Sequence, residues 1–146
     1  MDLEIVSCFL AEQLRSELGN RYTAVGIPMV LWVQDPAKPA PPLTCFMHLQ
    51  TAGSGEAEIN LYIREPRQKN AIFSRSSRIT TPAKSPEMEK DPDGFFNLMH
   101  HVHLDKLTFG HSGVFDVIVG VDKKARKQFR ILVAVPPDKK PSTDKH

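Results

Sequence analysis

The chain predicts an all-β fold: a single antiparallel β-sandwich, immunoglobulin-like or C2-like, of about seven or eight strands with at most one short helix. Three observations predict it. In Glu56-Ala57-Glu58-Ile59-Asn60-Leu61-Tyr62-Ile63, apolar residues occupy every second position. Side chains on a strand alternate faces, so this segment is written for a sheet with one dry and one wet side. Similar short runs rich in β-formers recur along the chain. The connections between them are rich in glycine and proline, and no long segment carries helical periodicity.

The elements follow in order. Leu3 to Leu10 reads as a first strand, with Leu3, Ile5 and Phe9 on one face. Ala11 to Leu18 holds helix formers with leucines four apart before Gly19-Asn20, which predicts the one short helix. Arg21–Ile27 and Met29–Gln34 read as strands separated by Pro28, with Met29 and Trp32 filling core. Asp35 to Pro42 holds four prolines and is a stiff extended loop. Leu43 to Gln50 is the next strand, and Ala52-Gly53-Ser54-Gly55 reads as a hairpin connection into Glu56–Ile63. Ile72 to Ile79 is extended but polar, with Ser74, Ser76 and Ser77, which suits a sheet edge. Thr81 to Gly94 is a mobile surface loop.

Phe95 to Phe109 resumes strand character, with Phe96, Leu98, His100, Val102 and Leu104 on one face. Val114–Val121 and Gln128–Val135 predict a hairpin whose basic loop is Lys123-Lys124-Ala125-Arg126-Lys127. Residues 1–136 make one β-sandwich domain, and 137–146 form a disordered basic tail.

Bulk composition agrees. Of 146 residues, 40% are apolar and 25% charged, enough for one core and typical of a globular domain. A net charge of +2 does not by itself imply a polyanion partner. Cys8 and Cys45 do not make a disulfide framework, and Cys45 reads as a buried free thiol. The start Met1-Asp2-Leu3-Glu4 lacks a basic leader, and no stretch approaches the ~20 apolar residues of a membrane span. The expectation is a soluble cytoplasmic protein with no membrane partner.

Phe9-Leu10-Ala11-Glu12, Thr23-Ala24-Val25-Gly26-Ile27, and the closing pair Gly113-Val114-Phe115-Asp116-Val117-Ile118-Val119 and Phe129-Arg130-Ile131-Leu132-Val133 resemble a family of small bacterial β-sandwich proteins of unknown function. The resemblance covers about residues 2 to 136. It implies the sandwich fold and a bacterial or phage setting, and it implies no activity or cofactor.

Two constellations carry candidate chemistry. His101, His103 and Asp105 share one side of a strand, with His111 after a turn. Two imidazoles at i, i+2 reach one zinc, and a carboxylate or water completes such a site. The competing reading is a solvated strand face, or an interface whose association is tuned by histidine charge. No cofactor is expected, zinc being the one candidate. The second constellation is basic: Arg64, Arg67, Lys69, Lys123, Lys124, Arg126 and Lys127 would form an anion-binding patch. Phe73 is the only ring within residues 64–78, so the stacking platform of a nucleic-acid binder is absent there and nucleic acid is disfavoured.

Nucleophilic catalysis finds no Gly-x-Ser-x-Gly elbow, and Ser112 in Gly110-His111-Ser112-Gly113 reads as a turn residue. No catalytic residues are assigned. The leading expectation is a non-catalytic protein-interaction or structural module, meeting a protein partner or a second copy through a sheet edge or loops. A metal-binding protein or metal-dependent hydrolase on His101, His103 and Asp105 is the alternative. An anion or nucleic-acid binder is the third reading.

Overall fold

Two β-sheets enclose one apolar cluster in the computed structural model, which describes residues 2–19, 21–83, 85–90 and 94–137. In chain order the elements are β1 (Leu3–Ala11), β2 (Gln13–Glu17), β3 (Arg21–Val25), β4 (Leu31–Trp32), β5 (Thr44–Thr51), β6 (Gly55–Arg64), β7 (Phe73–Thr81), α1 (Pro86–Lys90), β8 (Phe96–His103), β9 (Gly113–Val121) and β10 (Lys124–Ala134). One sheet has the order β1-β5-β8 and the other β4-β10-β9-β6-β7, while β2 and β3 form a separate ribbon. The chain is therefore all-β, with eight strands in the two facing sheets and a single short helical segment among the described residues. Pairing is antiparallel throughout except where β4 runs parallel to β10.

Period-two patterning builds the core. Ala57, Ile59, Leu61 and Ile63 are buried, while Glu58, Asn60 and Tyr62 between them remain partly exposed. Phe115, Val117 and Val119 on β9 join them from the same sheet, and Ile5, Met47, Leu49 and Val102 close the cluster from the other. Each fully buried side chain of this size contributes about 1.5–3 kcal/mol over its exposed state. β9 is central, and its outer face is covered too: Asp116 and Ile118 are buried between strands β6 and β10.

Several expectations are corrected. The register of β1 against β5 shifts between Ile5 and Ser7. That bulge adds a residue and reverses the alternation, so Leu3 and Ile5 point inward, then Leu10, with Cys8 against the core edge. Phe9 accordingly leaves the inner face and packs on Phe46, ring centroids 5.8 Å apart. The helix expected over residues 11–18 is instead β2, paired with β3 from Gln13↔Val25 to Glu17↔Arg21. Its Leu18 is 95% exposed, so the leucine spacing marks no buried stripe.

Met29 and Trp32 do not fill core, being 92% and 54% exposed. Leu31 and Val33 take the inward positions of this segment, and alternation turns the intervening Trp32 outward. Residues 52–54 do not close a hairpin: β5 and β6 lie in different sheets, and the segment carries the chain across the sandwich. The β9–β10 turn is tighter than expected. Val121 pairs with Lys124, leaving Asp122 and Lys123 as a two-residue loop, both with positive φ. Lys124 to Lys127 belong to β10.

The polar strand at residues 72–79 is an edge, as β7 pairs with β6 alone among the described residues. In the segment expected to be a mobile loop, β7 extends to Thr81 and α1 follows, while residues 84 and 91–93 lie outside the described residues. The expected tail also lies outside them beyond Pro137. Among the described residues, no helix is long and apolar enough to cross a membrane.

Candidate interaction surface

His101 and His103 project from the outer face of β8, with ring centroids 5.2 Å apart. Alternation places them together, as the sequence implies. His103 Nδ1 lies 2.9 Å from the Thr44 hydroxyl, and His101 packs beside Phe46. The strand ends at His103, so Asp105 falls in the following turn and faces Arg75 at 3.9 Å. His111 is drawn elsewhere: Nε2 meets the Glu65 carboxylate, and Nδ1 lies 2.7 Å from the Ser112 carbonyl. Both acceptors favour the doubly protonated ring, and its pKa is raised by the backbone carbonyl first and by Glu65 next. Among the described residues no group of three or more His, Cys, Asp or Glu stands close enough to hold a metal ion. The structure thus joins two of the four expected ligands and separates the others.

His100 faces the seam between the sheets. Its Nε2 is 2.8 Å from the Ser77 hydroxyl, and burial, with His101 second, lowers its pKa. Beside it Arg75 donates to the His103 carbonyl at 2.7 Å. Side chains therefore bridge β7 to β8 along this flank of the sandwich.

The basic residues do not make one patch. Arg64 ends β6 opposite Asp116, and Arg67 and Lys69 follow it in the loop. The β9–β10 turn lies at the other end of β6, where Asp122 N–H donates to the Glu58 carbonyl. From Ile59 to Arg64 the strand runs roughly 17 Å. Arg64 lies over the Tyr62 ring, and its Nε is buried with no partner among the described residues. Lys123, Lys124, Arg126 and Lys127 form a separate cluster at the start of β10, exposed and without an ion pair among the described residues.

That second cluster adjoins a feature the sequence did not disclose. β4 covers β10 only at Val133 and Ala134. Upstream, no strand pairs with that side of β10 among the described residues. Ala134 marks the parity, since its carbonyl accepts from Val33 N–H on the β4 side at 2.9 Å. In an antiparallel ladder a residue exchanges both backbone bonds with its partner or neither. The register runs unbroken from Lys127 to Val133, so Leu132, Arg130 and Gln128 also present N–H and C=O away from β9. Beside this edge a cleft of about 650 Å³ opens between Arg126 and Lys127 on one side and Leu3, Glu4 and Ile5 of β1 on the other, with Phe95 in its wall.

No family model matches the chain, and no curated protein does. Among solved structures, an immunoglobulin-like protein from Pseudomonas aeruginosa shares 8% identity over 92% of this chain and 98% of its own, with a TM-score of 0.43. An alkylpurine DNA glycosylase from Pseudomonas fluorescens, bound to DNA containing an abasic site analog, shares 10% identity over 90% of this chain, with a TM-score of 0.44. A β-glucosidase mutant from Listeria innocua in complex with laminaribiose shares 10% over 91%, with a TM-score of 0.43. The chain spans 30% of the glycosylase and 16% of the glucosidase. At these identities the likenesses carry no activity across, and the fold class rests on the chain's own two sheets.

Proposed function

We propose that this chain is a non-catalytic protein-interaction module that receives an extended, acidic segment of a partner protein along the free side of β10. One observation carries the reading: the row of outward backbone groups at Gln128, Arg130 and Leu132, against which no strand lies among the described residues. Such an edge recruits a peptide by strand addition, where main-chain bonds supply affinity and flanking side chains supply choice. Lys124, Arg126 and Lys127 have no counter-ion among the described residues and favour carboxylates on the incoming strand. The opposite flank is less suited, because Arg75 and His100 already span β7 and β8. The setting that goes with this reading is the cytoplasm of a bacterium or phage-infected cell. The free thiols Cys8 and Cys45 suit a reducing compartment, and the sequence resemblance supports the source.

Proline at position 128 removes an outward N–H while leaving the β9 ladder whole. A fluorescent peptide alternating glutamate with valine should bind the wild type, weaken with salt, and bind Gln128→Pro at least tenfold less. Equal binding to both proteins, or none to the wild type, overturns the proposal. A dimer in light scattering that Gln128→Pro dissolves would assign the edge to a second copy instead.

A further inference from the structure

The two cysteines lie 37 positions apart in sequence, on neighbouring strands of the smaller sheet, yet their sulfurs stand 3.4 Å apart. They are not directly opposed: Cys8 faces Met47 and Cys45 faces Leu10. The bulge after Ile5 makes the meeting possible, because it turns Cys8 toward the inner side that Cys45 already occupies. A disulfide needs about 2.05 Å between sulfurs, so roughly 1.4 Å of approach remains. Among the described residues β1 is an edge strand held in its sheet by β5 alone and interrupted by that bulge, and such a strand can adjust.

The two thiols differ in access. Cys45 is fully buried, and its pKa is raised by its hydrogen bond with Cys8 first and by desolvation next. Cys8 is half-buried and opens into a groove of about 260 Å³ whose wall includes Ile27, Pro28, Met29 and Phe129. Ile27 and Met29 are exposed large apolar residues beside this opening. One thiol is thus reachable from solvent and the other lies behind it, within 3.4 Å.

We propose that Cys8 and Cys45 form a thiol–disulfide exchange site, in which a small-molecule disulfide such as oxidised glutathione is reduced and β1 becomes covalently joined to β5. The Cys8 thiolate attacks one sulfur of the small disulfide, forming a mixed disulfide and releasing the first thiolate. Cys45 then gives up its proton and attacks the Cys8 sulfur, which forms the protein disulfide and expels the second thiolate. The two protons lost by the protein leave with the two small thiols, so one disulfide is exchanged for another and electrons balance. Oxidation fixes an edge strand that lines both the sulfur groove and the cleft beside β10, and reduction frees it.

The test uses the reduced full-length chain under native conditions with oxidised glutathione, followed by acid quenching and intact mass. The wild type should lose the mass of two hydrogens, and a peptide joining residues around Cys8 and Cys45 should appear in a non-reducing digest. Cys45→Ala should hold glutathione on Cys8, and Cys8→Ala should take up none. A wild type that retains glutathione without closing the ring, or that stays unmodified while free cysteine in the same tube is consumed, overturns the proposal. Circular dichroism of each variant separates lost reactivity from lost fold: a variant without the wild-type β-spectrum is replaced by the serine substitution at the same position.

Discussion

The β9–β10 turn holds Asp122 at φ 50° and Lys123 at φ 68°, the pair of left-handed residues that a two-residue type I′ hairpin requires. Asp122 suits its place twice over. Aspartate tolerates this region through local hydrogen bonding, and its Oδ1 accepts from Glu58 N–H at 2.9 Å while its own N–H donates back to the Glu58 carbonyl at 2.8 Å. Lys123 has no such tolerance, although Asn60 accepts from its N–H at 2.7 Å.

Asp122→Ala removes one charge-assisted, solvent-exposed bond worth about 1 kcal/mol and places alanine in a conformation costing it about 1 kcal/mol more. The expected loss is about 2 kcal/mol. Asp122→Asn keeps an acceptor and the backbone tolerance and should lose about 0.5 kcal/mol or less. Lys123→Gly relieves about 1–2 kcal/mol of strain against about 0.5–1 for glycine's greater freedom when unfolded, a net gain of about 0.5 kcal/mol. Urea unfolding reads all three. With a slope of about 2 kcal/mol/M, Asp122→Ala should lower the midpoint by about 1 M with the slope unchanged. A midpoint for Asp122→Ala equal to the wild type, or a lower one for Lys123→Gly, would show that this turn does not carry the strain assigned to it.

Other outcomes follow from the same geometry. Leu61→Ala opens a cavity in the fully buried centre and should cost about 2–5 kcal/mol, whereas Leu132→Ala at a 44% exposed position should cost about 0.5 kcal/mol, both by urea unfolding. His100 binds its proton less readily when folded, so its penalty is absent above its unfolded pKa of 6.5 and grows as pH falls toward its lowered value; His100→Gln should therefore lose less melting temperature than the wild type from about pH 7 to 5. His111 has the opposite sign: its stabilisation is complete below 6.5 and fades as pH rises through its raised value, so His111→Gln should lose more over the same interval. Closing the 37-residue loop between Cys8 and Cys45 should stabilise by at most about 4 kcal/mol, read as a rise in melting temperature that a reductant abolishes.

What the sequence disclosed was set by how local each determinant is. The buried series Ala57, Ile59, Leu61 and Ile63 was legible because each strand residue reports its own face. Phe9 falls on the face opposite to the expected one because one inserted residue reverses every face after it, and nothing in Leu3-Glu4-Ile5-Val6-Ser7 announces a bulge. Gln13 to Glu17 has helix-forming composition, but two turns of isolated helix are marginal, and pairing with Arg21–Val25 decides the state. Trp32 shows that apolar character says which side chains can be buried, while the phase of Leu31 and Val33 says which are. His101 and His103 were correctly placed side by side, and Asp105 was not, because the strand stops two residues earlier. The free edge of β10 could not be read at all. Strand order is a property of distant pairings, and only the parallel seat of Leu31–Trp32 beside Val133–Ala134 shows how much of β10 is left uncovered.

Amide hydrogen exchange along β10, resolved residue by residue in the isolated protein, tests that edge most directly. The N–H groups of Phe129, Ile131 and Val133 should be protected by β9, while those of Gln128, Arg130 and Leu132 should exchange at least a hundredfold faster. Uniform protection across Gln128 to Val133 would mean that the edge is already occupied, and strand addition at β10 would be excluded.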